Sequence, residues 1–171
     1  APRLTRRARV TLVYLVRHAK AKKRAKWTEP DHLRPLTKAG HRQAAALPAL
    51  YEGQPFFRLF TSPYVRCVQT LEPLALARDL PLETADALAE GSSAGEALEL
   101  MLSLAAEGAV VCCTHADVMF DAVEELVTAG VRLTRPFDFE VAGTWILDVQ
   151  DRTFASGRYL PPPPLAGIAP L

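Results

Sequence analysis

The segment Val10 to Val16, VTLVYLV, constrains the fold of this chain more than any other: it is an almost unbroken apolar run of strand length that stops at Arg17-His18. Such a run reads as a buried strand, and a dense set of cations follows it at Lys20, Lys22, Lys23, Arg24 and Lys26. Strand and helix signals alternate from there on. Thr37 to Tyr51 (TKAGHRQAAALPALY) is alanine-rich with helical spacing and opens on a threonine suited to an N-cap. FFRLF gives a second strand and passes through Ser62-Pro63 into YVRCVQTLEPLALARDL, where Ser62 is expected at the N-cap, Pro63 at the first helical position and Pro73 at a kink. LPLET is a short third strand, Ala94 to Glu107 a third helix closed by Gly108, AVVCCT a fourth strand, and Asp117 to Ala129 a fourth helix. The stretch VAGTWILDVQDRTFASGRYL alternates as a hairpin with its turn near Gln150-Asp151. This order predicts an α/β fold, a three-layer sandwich whose central, mostly parallel sheet is flanked by helices and carries an antiparallel edge.

A length of 171 residues suits one domain, placed at residues 10–160. The basic stub at 1–9 and the Pro-rich tail at 161–171 read as linkers or loose ends, so the chain is compatible with one module of a longer protein. Twenty Lys+Arg against nineteen Asp+Glu leave a formal charge of +1, which gives no global pull toward a nucleic acid polymer or a membrane. Affinity for anions has to be local. No apolar stretch approaches the roughly 18–20 residues of a membrane span, and APRLTRRARV lacks the apolar core of a signal peptide. Three cysteines, an odd number with Cys112-Cys113 inside an apolar run, act as small buried hydrophobes and suit a reducing, cytoplasmic setting.

Arg17-His18 ends the first strand, Arg66 falls in the opening turn of the helix after the second, and His115 follows the fourth. Ligands of open α/β sheets bind beyond the carboxyl ends of the strands, so these four side chains are expected to meet in one pocket. The residue types fit a phosphoryl group. Guanidinium forks bind two of its oxygens at once, and a neutral imidazole can attack phosphorus to form a phosphohistidine. Taken singly, Arg66 reads as a solvated helix residue, His115 as a polar strand end, and HAD as a weak metal-ligand pair with too few companions to hold a metal. The joint pattern carries the weight.

LVRHAKA, LTKAGHRQA, LFTSPYVRCVQT and CCTHADV, taken in order over residues 10–130, resemble the histidine phosphatase superfamily, also called the phosphoglycerate mutase-like or RHG family. DHLRPLTKAG is similar to a stretch of its short, SixA-like phosphohistidine phosphatase branch, and the brief span from Thr70 to His115 leaves no room for the inserted lid of the mutases. The motifs are also similar to histidine phosphatase domains fused behind Nudix hydrolases. The resemblance implies a mostly parallel sheet, a phosphohistidine intermediate and no cofactor or metal. It makes His18 the phosphorylated residue, Arg17 and Arg66 the phosphate clamps, and His115 the second pocket histidine. Two positions depart from the usual pattern: Ala19 replaces the glycine of Arg-His-Gly, and Glu90, in ALAEG, stands where the family's proton donor usually lies.

Glu90 is therefore the candidate general acid, with a solvated loop carboxylate as the plain alternative. Asp117 is the second choice, although capping the fourth helix explains it more simply. Lys20 and Lys22 leave the pocket directly after His18 and could hold the non-reacting part of a polyanionic substrate, the alternative being an ordinary solvated loop. Gln43 and His41 read as surface groups. The expected function is a metal-independent phosphatase acting on a phosphorylated protein histidine or a small phosphorylated metabolite or nucleotide. The alternative is a non-catalytic module that senses a phosphate ligand or dimerises beside a Nudix-type hydrolase.

Overall fold

The computed structural model describes residues 9–164. The expected basic stub apart from Arg9, and the Pro-rich tail beyond Pro164, lie outside the described residues. Within them the chain runs β1 (Thr11–Arg17), α1 (Lys38–Leu50), β2 (Arg58–Thr61), α2 (Val65–Arg78), β3 (Leu82–Thr84), α3 (Ala94–Ala105), β4 (Val110–Thr114), α4 (Ala116–Thr128), β5 (Arg132–Leu133), β6 (Thr144–Gln150) and β7 (Thr153–Leu160). The strands form one sheet in the order β3-β2-β4-β1-β6-β7-β5. β3, β2, β4 and β1 are mutually parallel, whereas β6 runs antiparallel to both β1 and β7. The expected α/β sandwich with an antiparallel edge is the fold observed.

The continuous apolar character of β1 follows from cover on both faces of the sheet. Val13 and Leu15 point to one core, shared with Met101 and Leu104 of α3 and Met119 and Val123 of α4. Tyr14 and Val16 point to the other, shared with Leu47 of α1 and Leu71 and Leu74 of α2. Cys112 and Cys113 divide between the same two cores, as neighbours on a strand must, and both are unpaired. Burying each large side chain contributes roughly 1.5–3 kcal/mol, so both layers are needed to hold β1 in place.

Local signals explain most of the boundaries. Thr37 caps α1 by accepting from Gly40 N, and α3 begins with a reciprocal capping box between Ser93 and Glu96. The β6–β7 hairpin turns through Asp151 and Arg152, whose φ values of 47° and 63° lie in the left-handed backbone region that a two-residue hairpin loop requires to match the right-handed twist of its strands. One start was placed wrongly: α2 begins at Val65, after Tyr64, and Ser62 is not its N-cap. Both α1 and α2 continue past internal prolines, Pro48 and Pro73. β5, two residues paired in parallel with β7, is too short to leave a periodic signal.

Candidate functional site

The parallel half of the sheet places the carboxyl ends of β1, β2 and β4 side by side, with Arg17 opposite Thr114 in the register. His18 N donates to Thr114 O at 3.0 Å, which fixes the residue after β1 to the end of β4. On the other flank, Arg17 N donates to Gly143 O, and Ala142 N reaches the carbonyls of Arg17 and His18. The backbone of the Arg-His pair is thus latched by β4 on one flank and by the residues leading into β6 on the other. α2 and α4 both begin at this edge, with Arg66 in the first turn of one and His115 as the N-cap residue of the other. Helix N-termini carry partial positive charge, which favours an anion in front of them.

These residues line a cavity of about 410 Å³ with Lys20, Lys22, Lys23, Arg24, Arg34, Glu90 and Asp117 among its walls. A cleft of about 470 Å³ elsewhere is lined by Asp86, Glu96 and Glu99 with no histidine or arginine, so size does not identify the site but chemistry does. Every site residue expected from sequence, Arg17, His18, Lys20, Lys22, Arg66, Glu90 and His115, is brought to the one cavity.

His18 is buried, and its Nδ1 lies 2.7 Å from Ala19 O. A carbonyl only accepts, so Nδ1 carries the proton and Nε2 presents a lone pair. Burial, with lesser contributions from His115, Arg66 and Arg17, pushes the imidazole pKa down to about 3 against the opposing effect of the Ala19 carbonyl. His18 is therefore neutral across the physiological range. The ring of His115 stands 5.4 Å from it, centroid to centroid, at 66°.

Arg17 NH1 donates to Phe139 O at 2.7 Å, and burial lowers the arginine's pKa from its ordinary value. Arg66 is 1 % exposed and is held by Asp31 and Glu90: Nη1 donates to the backbone carbonyl of Asp31, while Nη2 donates to Asp31 Oδ2 at 3.1 Å and Glu90 Oε2 at 3.0 Å. Glu90 Oε1 meets Arg24 NH2 at 2.7 Å, and Asp31 Oδ1 meets Arg34 Nε at 2.9 Å. The Asp31 carboxyl is held down to about 2: Arg34, Arg66 and Arg24 together outweigh the burial that on its own would raise it. Arg17 Nε, Arg66 Nε and His115 Nδ1 are buried without a protein partner among the described residues. All three are on residues lining one cavity, where an acceptor-rich anion would satisfy those that donate.

Several functional positions were missed or misread from sequence. Ser62 Oγ lies 2.8 Å from His115 Nε2 instead of capping a helix. Gln43 is not a surface group: it is buried, and its Oε1 accepts from Lys20 N. Thr70 Oγ1 accepts from Ala19 N, so α1 and α2 both pin the loop that follows the histidine. Gly40 belongs to the same device, since a Cβ there would stand 2.0 Å from Lys20 O. Asp117 does not cap α4; it lies in the first turn, and its Oδ2 accepts from Gly91 N, beside Glu90. Asp31 and Arg34 had a signal, the DHLR motif, but their ion pairs with one another and with Arg66 did not.

Known proteins are similar to this chain in sequence and fold. The family model described as histidine phosphatase superfamily (branch 1) matches residues 13–96. The SixA protein histidine phosphatase in complex with tungstate superposes with a TM-score of 0.70 at 22% identity, covering 87% of this chain and 94% of that one. A proposed phosphohistidine phosphatase SixA of Agrobacterium tumefaciens gives a TM-score of 0.69 at 27% identity, over 89% of this chain and 99% of that one. The chain belongs to the histidine phosphatase superfamily. An 8-oxo-(d)GTP phosphatase of Mycolicibacterium smegmatis is 32% identical over 157 residues, which are 88% of this chain and 48% of that protein. The chain thus spans about half the length of that curated relative. No helix among the described residues is long and apolar enough to cross a membrane.

Proposed function

We propose that this chain is a metal-independent phosphatase in which His18 Nε2 attacks the phosphorus of the substrate. The phosphorus–leaving-group bond breaks, a phosphohistidine forms, and water then takes the phosphoryl group to give inorganic phosphate and free His18. The observation that carries the reading is the neutral imidazole with Nδ1 tied to Ala19 O, facing a cavity whose three buried nitrogens lack partners. Arg17, Arg66 and His115 stabilise the charge on the transferring group.

Glu90 is the carboxylate on the wall beside Arg66, and its second step is to accept a proton from the attacking water. In its present contacts both oxygens already accept from guanidinium groups, so it has no proton to give a leaving group. That favours substrates whose leaving group departs with little help, namely a phosphoramidate on a protein histidine or the phosphoanhydride of a nucleotide. Names among the relatives point the same way, to protein histidine phosphatase and 8-oxo-(d)GTP phosphatase activities. Lys20 and Lys22, exposed at the mouth, are assigned to the non-reacting part of the substrate.

The deciding experiment is rapid quenching during turnover of a panel comprising a phosphohistidine protein, nucleoside di- and triphosphates and sugar phosphates. Acid-labile, base-stable phosphate on His18 is the expected result. Phosphate binding with no turnover of any member would instead establish the sensing module, which could serve beside a Nudix-type hydrolase.

A further inference from the structure

His115 has one nitrogen on Ser62 and one without a protein partner, and which of them carries the proton decides whether the residue can donate to a phosphoryl oxygen. Ser62 is fully buried, and two groups meet its hydroxyl oxygen. Tyr64 N, a donor only, lies 3.2 Å away; His115 Nε2 lies 2.8 Å away. Among the described residues Ser62 Oγ has no third partner. If Nε2 carried the proton, Ser62 would accept twice, and its own buried hydrogen would have nowhere to go. If the hydroxyl donates to Nε2, every group in the chain of contacts is satisfied: Tyr64 N–H to Ser62 Oγ, Ser62 O–H to His115 Nε2. The imidazole proton then sits on Nδ1, the buried nitrogen without a protein partner.

We infer that Ser62 is a positioning residue that sets His115 as the Nδ1–H tautomer and so turns its free nitrogen into a donor toward the phosphoryl group. The inference rests on the proposed function for its purpose but not for its geometry. Ring packing supports the fixed orientation, with the Tyr64 ring 4.8 Å from that of His115 at 74°. Cys67 Sγ, 3.5 Å from Nε2, closes the same side of the imidazole. The two histidines of the cavity then play opposite parts. His18 donates from Nδ1–H to a carbonyl and offers a lone pair at Nε2; His115 accepts at Nε2 from a hydroxyl and offers an N–H.

Nitrogen-15 correlation spectra of the histidine rings test this without reference to activity. The wild type is expected to show His115 with a pyrrole-like, protonated Nδ1 and a pyridine-like Nε2, and the Nδ1 signal is expected to shift on addition of inorganic phosphate. A pyrrole-like Nε2 with a bare Nδ1 would overturn the assignment. Ser62→Ala is expected to shift the ring toward the other tautomer and to lower kcat/KM by about tenfold, the loss of one hydrogen bond; Ser62→Thr, which keeps the hydroxyl, is expected to restore the wild-type ring signals. An unchanged tautomer in Ser62→Ala would also overturn it. Should the alanine variant not fold, the wild-type spectrum alone decides. A chain that turns over nothing but shows the expected ring pattern would refute the phosphatase reading and leave the Ser62 assignment standing.

Discussion

The floor and the rim of the cavity are built by opposite rules. On the floor, Arg66 and His115 are 1 % and 2 % exposed and His18 is buried beside them, its backbone tied to β4 and to Ala142. On the rim, Lys20, Lys22, Lys23 and Arg24 are exposed; Lys22 stacks 5.8 Å over Trp27, and Arg24 pairs with Asp31 and Glu90 through a side chain that is 66% exposed. Buried, multiply bonded groups hold one geometry, while exposed ion pairs contribute about 0–1 kcal/mol and exchange partners readily. Chemistry is therefore assigned to the floor and substrate choice to the rim, with Glu90 and Asp31 joining the two through Arg66.

The harshest break of this division is His18→Ala, expected to lower kcat by about 10⁴-fold or more on every substrate and to abolish the trapped phosphoenzyme. Variants of the rim should never reach that loss, and steady-state kinetics across the panel will show whether they do. Glu90→Gln sharpens the boundary. Its expected cost is about 10²–10⁴-fold in the breakdown of the phosphoenzyme, the step it serves as base, and under about tenfold in phosphoenzyme formation from a phosphoramidate. Equal losses in both steps would show that Glu90 acts only by holding Arg66.

Acid separates floor and rim by stability. The folded pKa of His18, about 3, lies below its ordinary 6.5, so the unfolded chain binds the proton first and stability falls as the pH drops from about 6.5 toward 3. Asp31, held at about 2 against an ordinary 3.8, adds a second loss as the pH falls from about 4 to 2. Its side chain is 34% exposed, so solvent screening limits that share to about 1 kcal/mol. Denaturant melts at stepped pH should show the first decline in Asp31→Asn and lack the second. The smallest effect belongs to Lys20→Ala and Lys22→Ala, each expected to lower kcat/KM a few-fold on a polyanionic substrate, with the difference fading as salt is raised above about 0.15 M. A salt-independent change would assign these lysines to loop structure.

The same contrast explains what the sequence disclosed. Arg17, His18, Arg66 and His115 were legible because strand ends and helix starts are local signals, and the rule for open α/β sheets brings those ends together. Ser62 and Asp117 were misread for the same reason: a hydroxyl or carboxylate beside a helix start looks like a cap, and only the tertiary neighbour, His115 or Gly91, reveals its other use. Gln43 and Thr70 hold a loop from elements 23 and 51 residues away, a relation that has no period and no motif. β5 escaped because two residues cannot display alternation.

The contacts of Ala142 and Gly143 set a limit on how this domain can be cut or grafted. Arg17, His18, Arg66 and His115 all precede residue 116, and the family model matches only residues 13–96, yet the backbone of Arg17 and His18 is hydrogen-bonded to Ala142 and Gly143, just before the closing hairpin. Gly143 is in turn shaped by its partner strand, since a Cβ there would stand 2.0 Å from the Tyr159 hydroxyl. A fragment ending after α4 would carry every residue assigned to the chemistry and still lack one wall of the nucleophile's mount. For minimal fragments or transplants of this site, the indivisible unit is β1 together with the hairpin that seals it.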